Sequence, residues 1–372
     1  MLQYANMWLL TTLLNLHIIK DFIAMFIYMC KRLLLIIPTL LGIIAVNFFI
    51  IQLSPGGPVE YMASKLEMSA KGEASAGIKS SDYKASKGIP NELIEELKKQ
   101  YGFDKGILER FWILLKSYAV FDLGQSYYRK ISVWDLVVEK LPVSISLGFF
   151  STILIYLISI PLGIYKARKN GSVLDSLSSL IIVVGNAIPA FLFGILLIVL
   201  FASGAYLDIF PLRGLVSENF DELSTLGKIK DYLWHITLPV LCLSIGGFAW
   251  LTLLSKNSFL EELHKQYVLS AYAKGASENR VLYHHIFRNA MLIVIASFPA
   301  AFMGIFFSGS LMIEIIFSLD GLGLLGYESI LSRDYPVVFG TLYIFTLLSL
   351  VVGIISDIIY TVIDPRIHFD KQ

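Results

Sequence analysis

Between Ser270 and Ala290 the sequence SAYAKGASENRVLYHHIFRNA sets lysine, glutamate, arginine and histidine between two long apolar runs. These residue types could supply acid–base or metal chemistry, but their arrangement does not. No nucleophile stands beside a base, and no ligand cluster has the spacing a metal needs. The stretch reads instead as a contact device: a short helix, a glycine turn at Gly275, and a second helix starting near Ser277. Elsewhere the candidates are weaker. Gly72, Gly77, Lys79 and Ser80 resemble a phosphate loop, but Ile78 adds a residue to the spacing and no strand precedes it. His235 has no second ligand at helical spacing. Cys30 and Cys242 lie in or beside apolar runs and read as small packing residues, not a disulfide framework. No catalytic residue, cofactor-binding residue or metal ligand is assigned.

The elements that carry this stretch are set by composition. Of 372 residues, 56% are hydrophobic and 16% charged, more apolar surface than a soluble domain could hide. The apolar residues come in blocks of about 20, enough to cross a ~30 Å hydrocarbon core. Membrane lipid is therefore the solvent. Runs at 33–53, 143–165, 177–203, 236–255, 290–313 and 337–361 predict about six transmembrane helices and an all-α, polytopic membrane protein. Pro38, Pro161, Pro189 and Pro239 fall within spans and read as kinks. The net charge of +1 implies no nucleic-acid partner.

Short-loop lysine and arginine set the orientation. Lys31, Arg32, Lys166, Arg168, Lys169, Lys256, Lys265, Lys274, Arg280, Arg288 and Arg366 share one side if the helices alternate, and that side is cytoplasmic. Both termini are then inside and 54–140 outside. Residues 54–90 are rich in Ser, Gly, Lys and Ala and read as a mobile loop. From Asn91 a helical pattern returns, and Ile107, Phe111, Leu114 and Leu115 line a helix suited to the outer membrane face. Gly321, Gly323 and Gly326 predict a tight turn followed by a short helix. Residues 1–24 are apolar but interrupted by Lys20 and Asp21, and read as a dispensable extension or an interfacial helix.

From Asn257 to Ala273, Leu260, Leu263, Tyr267 and Ala271 repeat at helical spacing while Glu261, Glu262, His264 and Lys265 face elsewhere. This predicts an amphipathic helix too polar to span. Gly275 can take the left-handed conformation that ends it. Ser277 suits the next N-cap and Glu278 its positive end. Val281, Leu282, His285 and Ile286 share a side of the second helix. The small residues Ala271, Ala273 and Gly275 let a partner approach the backbone.

Taken together, LPVSISLGFFSTILIYLISIPLGIYKARKNGS, NAIPAFLFGILLIVLFASG, SAYAKGASENRVLYHHIFRNAML, SLDGLGLLGYESILSRDYPVV and DPRI resemble the dipeptide/oligopeptide permease family of ATP-binding-cassette (ABC) importers. SPGGPVE, FPLRGLVSENFDEL and KIKDYLWHITLPV resemble its Yej-type B subgroup, which takes up short peptides and peptide conjugates such as microcin C. The resemblance runs from about Tyr28 to the C-terminus. It implies a type I importer (MetI-like) core over 142–361 with a coupling loop at 257–289. Before the core come an extension over 1–27, a first transmembrane helix over 28–53 and an extracytoplasmic subdomain over 54–140. A cytoplasmic tail follows over 362–372. It places the ATPase-coupling residues at Leu269, Ser270, Ala271, Lys274 and Gly275. The generic loop reads Glu-Ala-Ala where this chain has Leu-Ser-Ala, and Arg288 stands where many importers have proline.

The implied partners are ABC ATPase subunits, a second homologous permease, an extracytoplasmic substrate-binding protein and a peptide substrate. The implied location is the bacterial inner membrane. Substrate-binding residues are not assigned. Three other readings stand beside this one. A nickel permease belongs to the same family. A membrane enzyme needs a buried catalytic pair, and Asp357 is the only acid read well inside a span, with Arg366 or a coupling-region lysine as its expected partner. An autonomous channel or secondary carrier favours midplane charges and inverted repeats, and neither is visible.

Overall fold

The computed structural model describes residues 27–50, 52, 104–304 and 310–363. Residues 1–26 of the extension, the whole 54–90 loop with its phosphate-loop-like sequence, the helical pattern over 91–103 and the end of the tail lie outside these residues. Among the described residues the secondary structure is helical, apart from one isolated bridge between Gln125 and Ser132. The helices are α1 Ile27–Ile50, α2 Ile107–Ala119, α3 Val133–Arg168, α4 Val173–Ala187, α5 Ala190–Phe201, α6 Thr225–Leu263 and α7 Gln266–Ala273. They continue with α8 Glu278–Gly304, α9 Ser310–Ile316, α10 Leu322–Ser332 and α11 Tyr335–Ile363.

Five of these helices, α1, α3, α6, α8 and α11, are long and apolar enough to cross a membrane, and the pair α4–α5 makes a sixth if counted as one span. That pair departs from the single kinked span expected over 177–203, because the helix breaks. It bends by 96° at Ile188–Pro189. The ring of Pro189 disfavours helical geometry at the residue before it, and Ile188 is extended, with φ −81° and ψ 120°. Pro239 stays inside the continuous helix α6. Proline is tolerated where neighbouring helices support the freed backbone, so the two positions differ in packing rather than chemistry.

The chain divides into two compact units. One comprises Pro38–Pro142 with Asp320–Leu347. In it, Phe111 of α2 packs on Phe48 and Phe49 of α1 at ring distances of 5.3 and 5.6 Å. The Tyr343 hydroxyl donates to the Tyr118 carbonyl at 3.3 Å. Asp334, which precedes α11, is buried and accepts from the Tyr127 amide at 3.1 Å and from the Ser126 hydroxyl. Burial pushes its carboxyl above the usual range against these bonds. Gly321 opens α10 in an extended conformation and Arg333 closes it at φ 57°; the expected short helix forms, but Gly323 and Gly326 lie within it rather than in a turn before it.

The other unit comprises residues up to Ile37, Val143–Leu319 and Leu348 onward. Its spine is the contact of α3 with α6. Along α3 every fourth residue is buried: Leu147, Ser151, Ile155, Ser159, Gly163 and Ala167. A four-residue row forms one ridge of a helix surface, and ridges of this kind pack into the grooves of a neighbour. The row mixes large Leu147 and Ile155 with small Ser151, Ser159, Gly163 and Ala167, and α6 complements it. The Ser151 hydroxyl donates to the Val240 carbonyl at 3.5 Å, Ser244 to the Ser151 carbonyl at 3.4 Å, and Ser159 to the Phe248 carbonyl at 3.4 Å. Gly247 lies under Ile155, so that a Cβ there would stand 2.3 Å from the isoleucine Cδ1. A Cβ on Gly163 would stand 2.5 Å from the Ser255 Cβ and 3.0 Å from α6 backbone atoms.

Two acids in this unit add to the sequence reading. Asp357 on α11 pairs with Arg32 on α1 and accepts from the Tyr28 hydroxyl at 3.2 Å. A cation partner is thus supplied by the first span; Arg366 lies outside the described residues. A second acid is enclosed outside the candidate spans. Glu314 on α9 is fully buried, with the Ser144 hydroxyl at 3.4 Å.

Because Gly163 touches α6 backbone rather than a movable side-chain tip, Gly163→Leu has no room to be absorbed. Overpacking of this kind costs about 1–3 kcal/mol. A lower melting temperature of the detergent-solubilised chain is expected, and an unchanged one would show that α3 and α6 are not held by this contact.

Candidate coupling site

Helix α6 leaves the bundle and ends at Leu263. The predicted amphipathic helix over 257–273 is therefore two pieces, because Lys265 is extended, with φ −77° and ψ 150°, and α7 starts at Gln266. Glu262 shows the cause. It does not face solvent as expected but is buried, accepting hydrogen bonds from the Lys265 ammonium and the Tyr267 hydroxyl across the break. The Glu262 carboxylate beside Lys265 holds its ammonium above the usual lysine range. Burial and the same carboxylate push the Tyr267 phenol up. The Asn289 side chain of α8 donates to the Tyr267 hydroxyl at 3.4 Å. One buried acid thus ties together the break, α7 and α8.

Helix α7 ends as Gly275 predicts. The glycine has φ +82°. Its amide donates to the Tyr272 carbonyl at 2.9 Å, and the Ala276 amide donates to the Ala271 carbonyl at 3.2 Å. These are the two bonds of a Schellman cap, which satisfies carbonyls left over at a helix end. Ser277 is extended at the N-cap of α8, but its side chain makes no capping bond. Glu278 lies in the first turn, where a carboxylate suits the helix dipole, and accepts from Arg168 of α3 at 2.8 and 3.0 Å.

Beyond Arg280, α8 runs as a π turn over Val281–Ile286. Val281 and Ile286 are both fully buried. Five residues are about 1.4 turns of an α-helix, which would set them on different faces; the wider i→i+5 turn returns them to one. They join Phe259, Val268, Ala271, Leu282, Ala290 and Ala167 in a single apolar cluster. His285, expected on that side, is exposed.

The base of the turn is therefore packed and its tip is open. Leu269 is 64% exposed, and Tyr272 and Tyr283 are exposed with it. Ser270, Ala273, Lys274 and Gly275 are also exposed, and a Cβ on Gly275 would meet nothing within 4 Å. Ala271 is buried, so it serves the turn's own packing rather than a partner's approach. Tyr267, Ser270, Ala271, Lys274, Gly275, Ala276, Arg280 and His285 line a cleft of about 470 Å³. Leu269 and Arg288 do not line it; Arg288 is exposed on α8.

Beside the turn lies an ion cluster that sequence reasoning missed. Lys166 was visible only as one cation of a short loop, yet its side chain is fully buried. Its ammonium lies 2.9 Å from the Asp175 carboxylate and donates to the Asp175 carbonyl and the Ser178 and Ser179 hydroxyls at 2.7, 2.8 and 2.7 Å. Lys256 of α6 reaches the same carboxylate at 2.7 and 3.0 Å. The Gly171 amide donates to it at 3.0 Å. The nine-residue spacing of Lys166 and Asp175 was the available signal. Nothing in the spacing pointed to Lys256.

Among the described residues no group of His, Cys, Asp and Glu here could hold a metal ion. Residues 159–369 match the family described as "Binding-protein-dependent transport system inner membrane component". The chain is 57% identical over 361 residues to "Inner membrane ABC transporter permease protein YejB" of Escherichia coli O157:H7, covering 93% of this chain and 99% of that one. It is 55% identical over 359 residues to "Peptidoglycan transport system permease protein YejB" of Agrobacterium fabrum, with the same coverage. It is 34% identical over 343 residues to "Oligopeptide transport system permease protein AppB" of Bacillus subtilis, covering 92% and 99%. The chain belongs to the family of inner-membrane permease subunits of binding-protein-dependent ABC importers, a family of transport subunits rather than enzymes.

Proposed function

We propose that the segment 257–289 is where an ABC ATPase subunit docks, with Leu269, Ser270, Lys274 and Gly275 at the contact and Ala271 beneath it. Arg288 lies to the side, on the outgoing helix. The observation that carries this reading is the contrast within one turn: a buried apolar base and an exposed tip bearing Leu269 and Tyr272. Exposed apolar residues on a polar, well-seated turn mark an interaction site. The surrounding exposed Lys274, Arg280, His285 and Arg288 favour a partner groove with an acidic rim.

The substrate is a short peptide or peptide-like compound, a reading supported by the oligopeptide and peptidoglycan transport named for the relatives. Transport proceeds by alternating access, driven by ATP hydrolysis in the ATPase. A second permease completes the pore, and an extracytoplasmic binding protein delivers the peptide. Residues 142–361 form the importer core, 28–53 the first span and 54–140 the outer subdomain. The docking turn and both termini face the cytoplasm, as the short-loop cations require.

Orientation is tested by Lys274→Cys in intact cells with a membrane-impermeant thiol reagent. No labelling is expected until the membrane is opened, and labelling from outside would reverse the topology.

Docking is tested by Gly275→Val. A Cβ at φ +82° costs roughly 1 kcal/mol or more, and the open surroundings leave insertion intact. In the reconstituted importer the variant is expected to lose peptide transport and substrate-stimulated ATP hydrolysis while the chain stays folded. Normal assembly with undiminished transport would reduce this turn to a connector.

A further inference from the structure

Both flanks of the docking turn reach the same short connection between α3 and α4. From the incoming helix α6, Lys256 binds Asp175, three residues past the connection's Ser172. From the outgoing helix α8, Glu278 binds Arg168, the last residue of α3. The two links differ in kind. Arg168 and Glu278 are 35% and 63% exposed, and an exposed pair of this sort is screened and weak. Lys256 and Asp175 are 14% and 5% exposed, where an ion pair is hardly screened.

Lys256 is also surplus to the local fold. Lys166 already neutralises Asp175, and its ammonium is saturated by one carbonyl and two hydroxyls. These partners all lie within residues 166–179 and fix the connection by themselves. Lys256 adds a third enclosed charge from 81 residues away. Desolvating a charge that local neutrality does not require is costly. What this charge does accomplish is to join α6, about 10 Å above its end at Leu263, to the first turn of α4. Helix α4 is one arm of the bent pair whose 96° break lies at Pro189.

We propose that Lys256 is a positioning residue for transport: through Asp175 it passes displacement of the docking turn to the bent pair α4–α5. The proposal rests on the docking reading given above. Removing Lys256 leaves Asp175 paired with Lys166 and bonded to the Gly171 amide, so the fold should survive. Removing Asp175 would strand two lysines, which makes it the poorer probe.

The experiment uses the complete importer, reconstituted with its ATPase and binding protein, carrying Lys256→Met, Lys256→Arg, Glu278→Gln or Gly275→Val. Lys256→Met is expected to assemble in normal amount and hydrolyse ATP at the basal rate. Its peptide transported per ATP should fall about tenfold. Lys256→Arg should restore most of this ratio, and Glu278→Gln should leave it near wild type. Wild-type transport by Lys256→Met would overturn the proposal. So would a loss matched by equal loss of assembled complex, or failure of Lys256→Arg to restore the ratio. If Gly275→Val uncouples while Lys256→Met is normal, only the role of Lys256 fails. If Gly275→Val transports normally, the docking reading fails, and with it the route from the turn.

Discussion

Helices in hydrocarbon are not driven together by the hydrophobic effect, because lipid tails are as apolar as leucine. What holds this chain's central helices is therefore closeness. The α3 row from Leu147 to Ala167 meets α6 through serines, Gly163 and Gly247, and the two backbones approach where a side chain would be an obstruction. The end of α6 near Lys256 follows from that seam, which sets α6 in register with α3 and brings Lys256 to Asp175 and Phe259 to Ala167. The turn at Gly275 then has a packed platform.

That platform explains how one turn can be both firm and available. Its apolar side chains and the buried Glu262 point inward, leaving the tip with little but Leu269, two tyrosines and cations. A partner pressing on the tip meets α7 already braced against α6 and α8.

The sequence made much of this legible. Span lengths follow from bilayer thickness, and five long helices plus the bent pair match about six apolar runs. Gly275 was readable because a helix end in the left-handed region selects glycine. Other features were hidden for definite reasons. Pro189 and Pro239 look alike in sequence, and only packing decides which one breaks a helix. Glu262 has helical spacing that would turn it outward, but the helix stops one residue later, at Leu263. Asp357 lies 325 positions from Arg32 along the chain, and periodicity carries no information over that distance. Lys166 was counted correctly as a cation, but spacing could not say that it is enclosed.

The π turn over Val281–Ile286 has a consequence for how this helix can change over time. Such a turn is a single surplus residue absorbed by widening one loop of the spiral. The residues before and after it each keep α register, so the buried faces ending at Val281 and beginning at Ile286 are aligned by that surplus. Losing one residue within these six would restore a plain α turn and leave both flanks facing as they do now. Losing one anywhere else along α8 would rotate the remainder by about a quarter-turn or more. Along α8, a one-residue deletion has one tolerant point, and it lies beside the turn at Gly275.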